Sequence, residues 1–199
     1  MQSQVDFRAA RKEDARAIAE LIDMSSDGVA TLECVEEAER SPGAEPQDIG
    51  AQIYRGEQGD YSYRNCVIAE QAGEVAGMLL SFPMPPPDPH NRPQAPPFDG
   101  SDVFATYKYL EAPDTWYVCG VALYPQHRGR GIGRRLMGLA HRQAGQRGYD
   151  RVSLVAFAKN EVAVRLYQRL GYRVIDQAPI VPHPLIRCTG EALLMVCEL

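Results

Sequence analysis

The segment from residue 115 to residue 146 constrains the fold most, because an extended stretch runs through a glycine-rich turn into a helical pattern. TWYVCGVAL (115–123) is apolar and rich in β-branched and aromatic residues, as is typical of a buried strand. RGRGIG (128–133) follows, and apolar residues then recur at helical spacing. A strand that leads through glycines into a helix presents backbone N–H groups at the positive end of the helix dipole. The segment therefore predicts an anion-binding turn in a mixed α/β protein.

Four arginines cluster at this turn, although the whole chain carries a formal net charge of −5. They are Arg128, Arg130, Arg134 and Arg135, and no acidic residue stands among them. A cation at a helix N-terminus is unfavourable by roughly 0.3–1 kcal/mol. We therefore expect an anionic ligand, with solvated arginines as the alternative.

Two common phosphate-binding motifs fit this turn poorly. A Walker A loop needs G-x-x-x-x-G-K-[ST], and no Lys-Ser or Lys-Thr pair occurs here. A dinucleotide fingerprint needs G-x-G-x-x-G, but counting from Gly129 its sixth position is Arg134. No acid stands at a strand end about 20 residues further on, where that fingerprint requires one.

The remaining chain shows strand and helix patterns that surround this segment. Hydrophobic periodicity and turn residues predict strands at 5–10, 151–157, 172–177 and 191–199, a hairpin at 66–82, and helices at 13–24, 27–40, 46–56, 101–112, 131–146 and 160–170. At 199 residues, the length suits one domain. We expect a single domain over 1–199 with a proline-rich insertion at about 83–114, where 83–100 holds eight of the fifteen prolines.

Composition excludes several classes of protein. An acidic chain with a pI near 5.4 argues against binding to nucleic acid or to a membrane surface. The five cysteines and four histidines lack metal-ligand spacing, so we expect no metal, and the cysteines suggest a reducing cytoplasm. No signal peptide or apolar span is visible.

Two motifs together resemble one family. Arg128-Gly129-Arg130-Gly131-Ile132-Gly133 resembles the Arg/Gln-x-x-Gly-x-Gly/Ala pyrophosphate loop of the GNAT superfamily of N-acetyltransferases. NEVAVRLYQRLGY (160–172) resembles the family segment Asn-x-x-Ala-x-x-Leu-Tyr-x-x-x-Gly-Phe/Tyr. The resemblance is close over 115–177 and loose over the first 80 residues. It implies an α/β (α+β) fold in which helices flank a central mixed, mostly antiparallel sheet.

The resemblance also implies an acetyl-CoA-dependent N-acetyltransferase and a set of site residues. Acetyl-CoA would be a co-substrate, and the acetyl acceptor would be a primary amine of a small molecule or peptide. The loop would bind the pyrophosphate, and the preceding strand would pair with the pantetheine arm and orient the acetyl carbonyl. The implied binding residues are Val121, Ala122, Leu123, Arg128, Gly129, Arg130, Gly131, Ile132, Gly133, Arg134 and Asn160.

Asn160 and Tyr167 each have a structural alternative. Asn160 is expected to cap a helix, either alone or together with a contact to pantetheine. Tyr167 lies on the inward face of the same helix and is either a core residue or, as the resemblance implies, the general acid that protonates the leaving thiolate. We expect the Tyr167 hydroxyl to act as the general acid.

No general base is evident. The strands where some family members place a glutamate carry none here, and the remaining candidate acids are Glu33, Glu36, Glu37, Glu111 and Asp114. Cys119 lies on the strand that is expected to orient the acetyl group, which suggests a mechanism through an acetyl-cysteine. A small buried residue is the simpler interpretation of Cys119. We therefore expect direct attack in a ternary complex.

Aromatic and acidic residues at 24–60 and 83–114 suit an amine acceptor. A non-catalytic CoA-binding module is the alternative function, and a protein that docks partners through its proline-rich insertion is a third. A homodimer is compatible with the sequence, which does not identify the acceptor.

Overall fold

The structure is a computed structural model that describes residues 4–40, 43, 45–86, 103–104 and 110–199. Its strands are β1 (Val5–Ala9), β2 (Cys66–Gln71), β3 (Glu74–Met84), β4 (Thr115–Leu123), β5 (Arg151–Phe157), β6 (Arg173–Pro179) and β7 (Glu191–Glu198). Its helices are α1 (Ala15–Ser25), α2 (Val29–Arg40), α3 (Pro46–Tyr54), α4 (Ile132–Gln146) and α5 (Glu161–Arg169). Each matches a predicted element to within a few residues. Most of the predicted helix at 101–112 and most of the proline-rich insertion lie outside the described residues, and the described residues 110–112 are not helical.

Seven strands form one sheet in the order β1-β2-β3-β4-β5-β7-β6. The pairs β1–β2, β2–β3, β5–β7 and β6–β7 are antiparallel, whereas β4 and β5 are parallel. The prediction of a mixed, mostly antiparallel sheet flanked by helices is therefore confirmed. The chain divides into two compact units, Met1–Phe82 with Cys119–Ala140 and Pro83–Val118 with His141–Leu199, and β4 and α4 contribute residues to both. One domain over 1–199 remains a prediction.

The first unit is built on β1, β2, β3 and the end of β4. Apolar residues at helical spacing on α1 give it a buried face that includes Ile18 and Leu21, which are fully buried. Ile68 and Met78 lie opposite each other in the β2–β3 ladder and are also fully buried. The hairpin turn between these strands places Ala72 at φ 55° and Gly73 at φ 82°, as a two-residue turn with left-handed residues requires.

The second unit is built on β5, β6, β7 and the start of β4. Val152 and Met195 form part of its fully buried core. Two buried hydroxyls connect the β4 and β5 strands, because Thr115 Oγ1 donates to the Ala112 carbonyl (2.7 Å) and lies 2.6 Å from Ser153 Oγ. Since the Thr115 proton is already used, the Ser153 hydroxyl donates to Thr115.

A partly buried ionic cluster joins β1 to the first helical turn. Arg8 binds Asp14 through both guanidinium Nη atoms (2.7 and 3.0 Å), and its Nε donates to Glu70 (2.8 Å). The Arg11 amide also donates to Asp14 (2.6 Å), whose surface is only 9% exposed. Burial acts to raise the pKa of Asp14, but the hydrogen bonds and charges of Arg8 and Arg11 hold that pKa below its ordinary value.

Asp14→Asn is expected to lower the free energy of unfolding at pH 7 by roughly 1–3 kcal/mol, because it removes charge-assisted hydrogen bonds that a neutral amide does not restore. Since the pKa of Asp14 is lower in the folded state, its contribution is complete above the unfolded-state pKa of about 3.9 and is lost as the pH falls through the folded value. Urea unfolding at pH 7 and pH 3 measures both effects. Asp48→Asn, which changes an exposed ion pair with Arg16 (3.5 Å), is the control. If Asp14→Asn loses as much free energy of unfolding at pH 3 as at pH 7, Asp14 does not stabilise the fold through its charge.

No helix among the described residues has the length and apolarity needed to cross a bilayer.

Candidate active site

The turn between β4 and α4 holds two glycines in the left-handed region. Gly129 has φ 74° and Gly131 has φ 75°, a conformation that other residues rarely adopt. No atom lies within 4 Å of the position that a Cβ would occupy on either glycine. The turn is therefore open on the side of both Cβ positions, because no described residue other than the chain neighbours fills that space.

The backbone amides that follow Arg128 in this turn have no hydrogen-bond partner among the residues that the structure describes. The first amide beyond the turn that is bonded is that of Arg135, which donates to the Gly131 carbonyl (3.2 Å). Across the part of the chain that the structure describes, none of the amides of residues 129–134 donates a hydrogen bond. They include the first-turn amides that no helix can satisfy internally. A set of unpaired donors at a helix N-terminus is suited to an anion such as a phosphate.

The four arginines of the turn differ in their contacts. The Arg128 side chain folds back, and its Nε donates to the Leu123 carbonyl (3.0 Å). Arg135 turns toward β1, with its guanidinium 4.4 Å from the centre of the Phe7 ring. Arg130 donates to the side chain of Gln71 (3.2 Å).

Arg134 is exposed and has no hydrogen bond or ion pair with any residue that the structure describes. Among the contacts of the described residues, Arg134 is therefore the one arginine of the four whose guanidinium has no partner. Ile132 is 2% exposed and anchors the start of α4 in the core, so only its backbone faces the turn.

The strand that leads into the turn is held closely by β3. The Tyr124 amide donates to the Ala76 carbonyl (3.0 Å), and a Cβ on Gly77 would lie 2.4 Å from the Ala122 oxygen. The parallel ladder of β4 with β5 covers Trp116–Val118 only, so β4 continues for five residues beyond it. Val121, Ala122 and Leu123 belong to this continuation.

Cys119 lies at the start of the same continuation. Part of its surface is exposed, but burial of the thiol raises its pKa to about 12, and the charges of Asp60 and Glu33 add to that shift. The thiol is therefore protonated at neutral pH and is a poor nucleophile. This environment agrees with the interpretation of Cys119 as a structural residue.

Asn160 caps α5 as predicted. Its side-chain oxygen accepts a hydrogen bond from the Ala163 amide (3.2 Å), and the Val164 amide donates to its carbonyl (3.0 Å). A contact to pantetheine is an additional role that remains a prediction.

Tyr167 is buried, with 8% of its surface exposed. Its ring lies 5.8 Å from the ring of Tyr172, whose hydroxyl in turn lies 2.9 Å from His141 Nε2. Among the described residues, no group forms a hydrogen bond with the Tyr167 hydroxyl. Burial raises the pKa of Tyr167 to about 12, so the phenol carries its proton throughout the physiological range.

The candidate bases differ in environment. Burial raises the pKa of Glu111, which favours proton uptake, whereas Glu37 forms an ion pair with Arg40 (3.4 Å). Asp114 adopts φ 58°, and its carbonyl accepts from Arg151 (3.2 Å). The side chain of Glu36 lies outside the described part of the chain. Several residues expected near the acceptor also lie outside it, namely Phe98, Asp99, Asp102, Tyr107 and Tyr109.

Two residues near these groups were not indicated by the sequence. Gln71 contacts the turn through Arg130 and His127, and Asp60 lies close enough to Cys119 to influence the pKa of its thiol. Gln71 and Asp60 are remote in sequence from the residues that they influence, so no local pattern could identify them. Within the described residues, no cluster of three or more His, Cys, Asp or Glu could hold a metal ion.

Comparisons with known proteins identify the fold. An N-acetyltransferase from Staphylococcus aureus Mu50 is 17% identical with a TM-score of 0.63, and the match covers 96% of this chain and 99% of that one. The yncA protein of Salmonella typhimurium, solved with its cofactor acetyl-CoA, is 20% identical with a TM-score of 0.57, covering 99% of this chain and 95% of that one. At these identities the likeness establishes a shared fold.

Sequence comparisons add the family. YdgE of Bacillus subtilis (strain 168), an uncharacterised N-acetyltransferase, is 36% identical over 60 residues. That match covers 30% of this chain and 38% of the relative's length. A model of the acetyltransferase (GNAT) family matches residues 31–172, which is more than half of the chain and includes both motifs. The chain therefore belongs to the acetyltransferase (GNAT) family.

Proposed function

We propose that the protein transfers the acetyl group of acetyl-CoA to a primary amine of a small molecule or peptide. The observation that carries this proposal is the row of unpaired amides at residues 129–134, held open by two left-handed glycines at the start of α4. The donor set fits a pyrophosphate, because phosphate oxygens accept several N–H bonds at once and the helix dipole favours their charge.

In this proposal, the turn and the end of β4 bind different parts of acetyl-CoA. The amides of Gly129, Gly131, Ile132 and Gly133 bind the pyrophosphate, and Arg128, Arg130 and Arg134 add positive charge around it. The backbone of Val121, Ala122 and Leu123 pairs with the pantetheine arm beyond the β4–β5 ladder. Backbone donors on this strand also polarise the acetyl carbonyl, so their side chains are free to be apolar.

Two residues at the start and on the inward face of α5 are also proposed to take part. Asn160 would contact pantetheine in addition to capping α5, and Tyr167 would donate a proton to the departing sulfur. A phenol with a pKa of about 12 is a weaker acid than a free thiol, whose pKa is about 8.5. Exclusion of water from the site also raises the pKa of the departing thiol, so the difference between the pKa values of the phenol and the thiol becomes smaller. Within the described part of the chain the Tyr167 hydroxyl has no hydrogen-bond partner, which is consistent with this role.

The amine is proposed to attack directly in a ternary complex. The raised pKa of Cys119 supports direct attack, because a protonated thiol does not readily accept the acetyl group. The five free cysteines suit a reducing compartment, and we place the protein in the cytoplasm.

The test is thiol release from acetyl-CoA across a panel of monoamines, diamines, amino acids and peptides with free N-termini. Turnover with one class, and intersecting lines in a two-substrate initial-velocity plot, would support transfer in a ternary complex. Parallel lines would indicate an acetyl-enzyme and contradict direct attack. Calorimetric binding of CoA without turnover on any acceptor would favour a non-catalytic CoA-binding module, and no binding at millimolar CoA would overturn the whole proposal.

Arg134→Met is expected to raise the Kd for CoA by about tenfold, because a charge-assisted hydrogen bond at an exposed site contributes roughly 1.5 kcal/mol. Calorimetry at low ionic strength measures the change. Arg142→Met, which removes an exposed arginine about two turns later in α4, is the matched control. It should change the Kd by less than about twofold, because Arg142 lies too far from the proposed phosphate site to form a hydrogen bond there. Equal effects of the two variants would show that Arg134 contributes only general charge.

A further inference from the structure

Gln71 is a buried residue that contacts the turn from the end of strand β2. It is 7% exposed and immediately precedes the tight turn at Ala72 and Gly73. Its side-chain oxygen lies 3.2 Å from Arg130 Nη1 and 3.0 Å from His127 Nδ1. One amide oxygen therefore contacts residues on both sides of Arg128 and Gly129.

The chemistry of the donors defines this contact. A guanidinium only donates, so the atom of Gln71 that faces Arg130 is its oxygen. The same oxygen faces His127, which requires the proton of that imidazole to be on Nδ1. Gln71 thus accepts two hydrogen bonds, one from the segment before the turn and one from within it.

A second contact supports the turn from the neighbouring strand. Val5 of β1 is paired in register with Gln71, and the Val5 carbonyl accepts a hydrogen bond from Arg135 (3.4 Å). The ring of Phe7 lies beneath the same guanidinium. β1 and β2 therefore contact the turn and the first turn of α4 through two side chains, Gln71 and Phe7, and one backbone carbonyl, that of Val5.

We propose that Gln71 is a positioning residue that orders the pyrophosphate-binding turn before acetyl-CoA binds, an inference that rests on the proposed function. Ordering a backbone residue costs roughly 1–2 kcal/mol, so a turn that is ordered in advance binds its ligand more tightly. The neutral amide matters as well. It orients Arg130 without cancelling its charge, whereas a carboxylate at this position would pair with Arg130 and repel the phosphates.

The test compares Gln71→Leu, Gln71→Glu and wild type in two measurements. The first is hydrogen–deuterium exchange of the amides of His127, Arg128 and Arg135, which are hydrogen-bonded on either side of the unpaired amides, in the protein without ligand. The second is the Kd for CoA, with the rate of thiol release from S-acetylpantetheine, which lacks the phosphates, as a reference. Ser153→Ala is the control, because it removes a buried hydrogen bond of 2.6 Å that does not involve the turn.

Gln71→Leu is expected to accelerate exchange in the turn and to raise the Kd for CoA by about tenfold, with kcat/KM for S-acetylpantetheine within about twofold of wild type. Gln71→Glu keeps the acceptor, so it should leave exchange unchanged and still weaken CoA binding through its charge. The double variant of Gln71→Leu with Arg130→Met should lose less affinity for CoA than the sum of the two single losses, because both changes remove the same contact between Gln71 and Arg130.

Unchanged exchange in the turn of Gln71→Leu would overturn the inference, as would equal losses with CoA and S-acetylpantetheine. Accelerated exchange in a protein whose wild type ignores CoA would support the ordering role while contradicting the proposed function. The two failures are therefore distinguishable.

Discussion

Tyr167→Phe is expected to lower kcat by roughly 10²-fold or more, which is the lower range for loss of a general acid. The Kd for CoA should remain within about twofold, since the proposed role of the hydroxyl is confined to the departing sulfur. The free energy of unfolding should change by less than about 0.5 kcal/mol, because the hydroxyl has no hydrogen-bond partner among the described residues. Thiol release under saturating acetyl-CoA and amine measures kcat.

Tyr172→Phe is the matched control for this experiment. It removes a hydroxyl from the neighbouring ring, which lies 5.8 Å from Tyr167, but that hydroxyl is bonded to His141. The control should therefore lose stability rather than turnover. If Tyr167→Phe retains wild-type kcat, or if both variants lose kcat equally, Tyr167 is not the acid and its burial is purely structural.

Gly77→Ala is expected to lower both the free energy of unfolding and the rate of turnover. A Cβ at this position would lie 2.3 Å from Leu123 Cδ2 and 2.4 Å from the Ala122 oxygen. The backbone of β3 or of β4 therefore has to move. Overpacking of this kind costs roughly 1–3 kcal/mol. The shift falls on the strand proposed to orient the acetyl carbonyl, where a displacement of about 1 Å is sufficient for a roughly 10²-fold loss of rate.

Gly145→Ala is the control for Gly77→Ala. Gly145 lies in α4 with nothing within 4 Å of its Cβ position, so alanine should stabilise the helix by roughly 0.5–1 kcal/mol. Urea unfolding and thiol release are measured for both variants. If Gly77→Ala keeps wild-type stability and kcat, β3 and β4 can separate without consequence. The close packing of β4 against β3 would then not be needed to orient the acetyl carbonyl.

Local sequence was sufficient to predict the elements that carry the motifs. β4 and β5 have the predicted bounds, and Asn160 caps α5 as its position suggested. These features depend on neighbouring residues, since alternation, capping and glycine turns are short-range effects. The left-handed φ of Gly129 and Gly131 belongs to the same class, because only local backbone geometry decides it.

The roles of individual side chains at the turn were not predictable in the same way. Four arginines within eight residues are equivalent in the sequence, but three of them contact Leu123, Gln71 and Phe7 in the structure. Two of these partners come from β1 and β2, more than 55 residues earlier in the chain. Gln71 itself has no neighbouring residue that marks it as part of a site.

The sequence by itself determined the strand–turn–helix unit, the order of the elements and the family motifs, because each is encoded within a short window of residues. Only the tertiary structure decided which arginine of the turn has no partner among the described residues, why the Cys119 thiol is protonated and which residue supports the turn. These properties depend on burial and on contacts between distant segments, and both exist only once the sheet has brought its strands together.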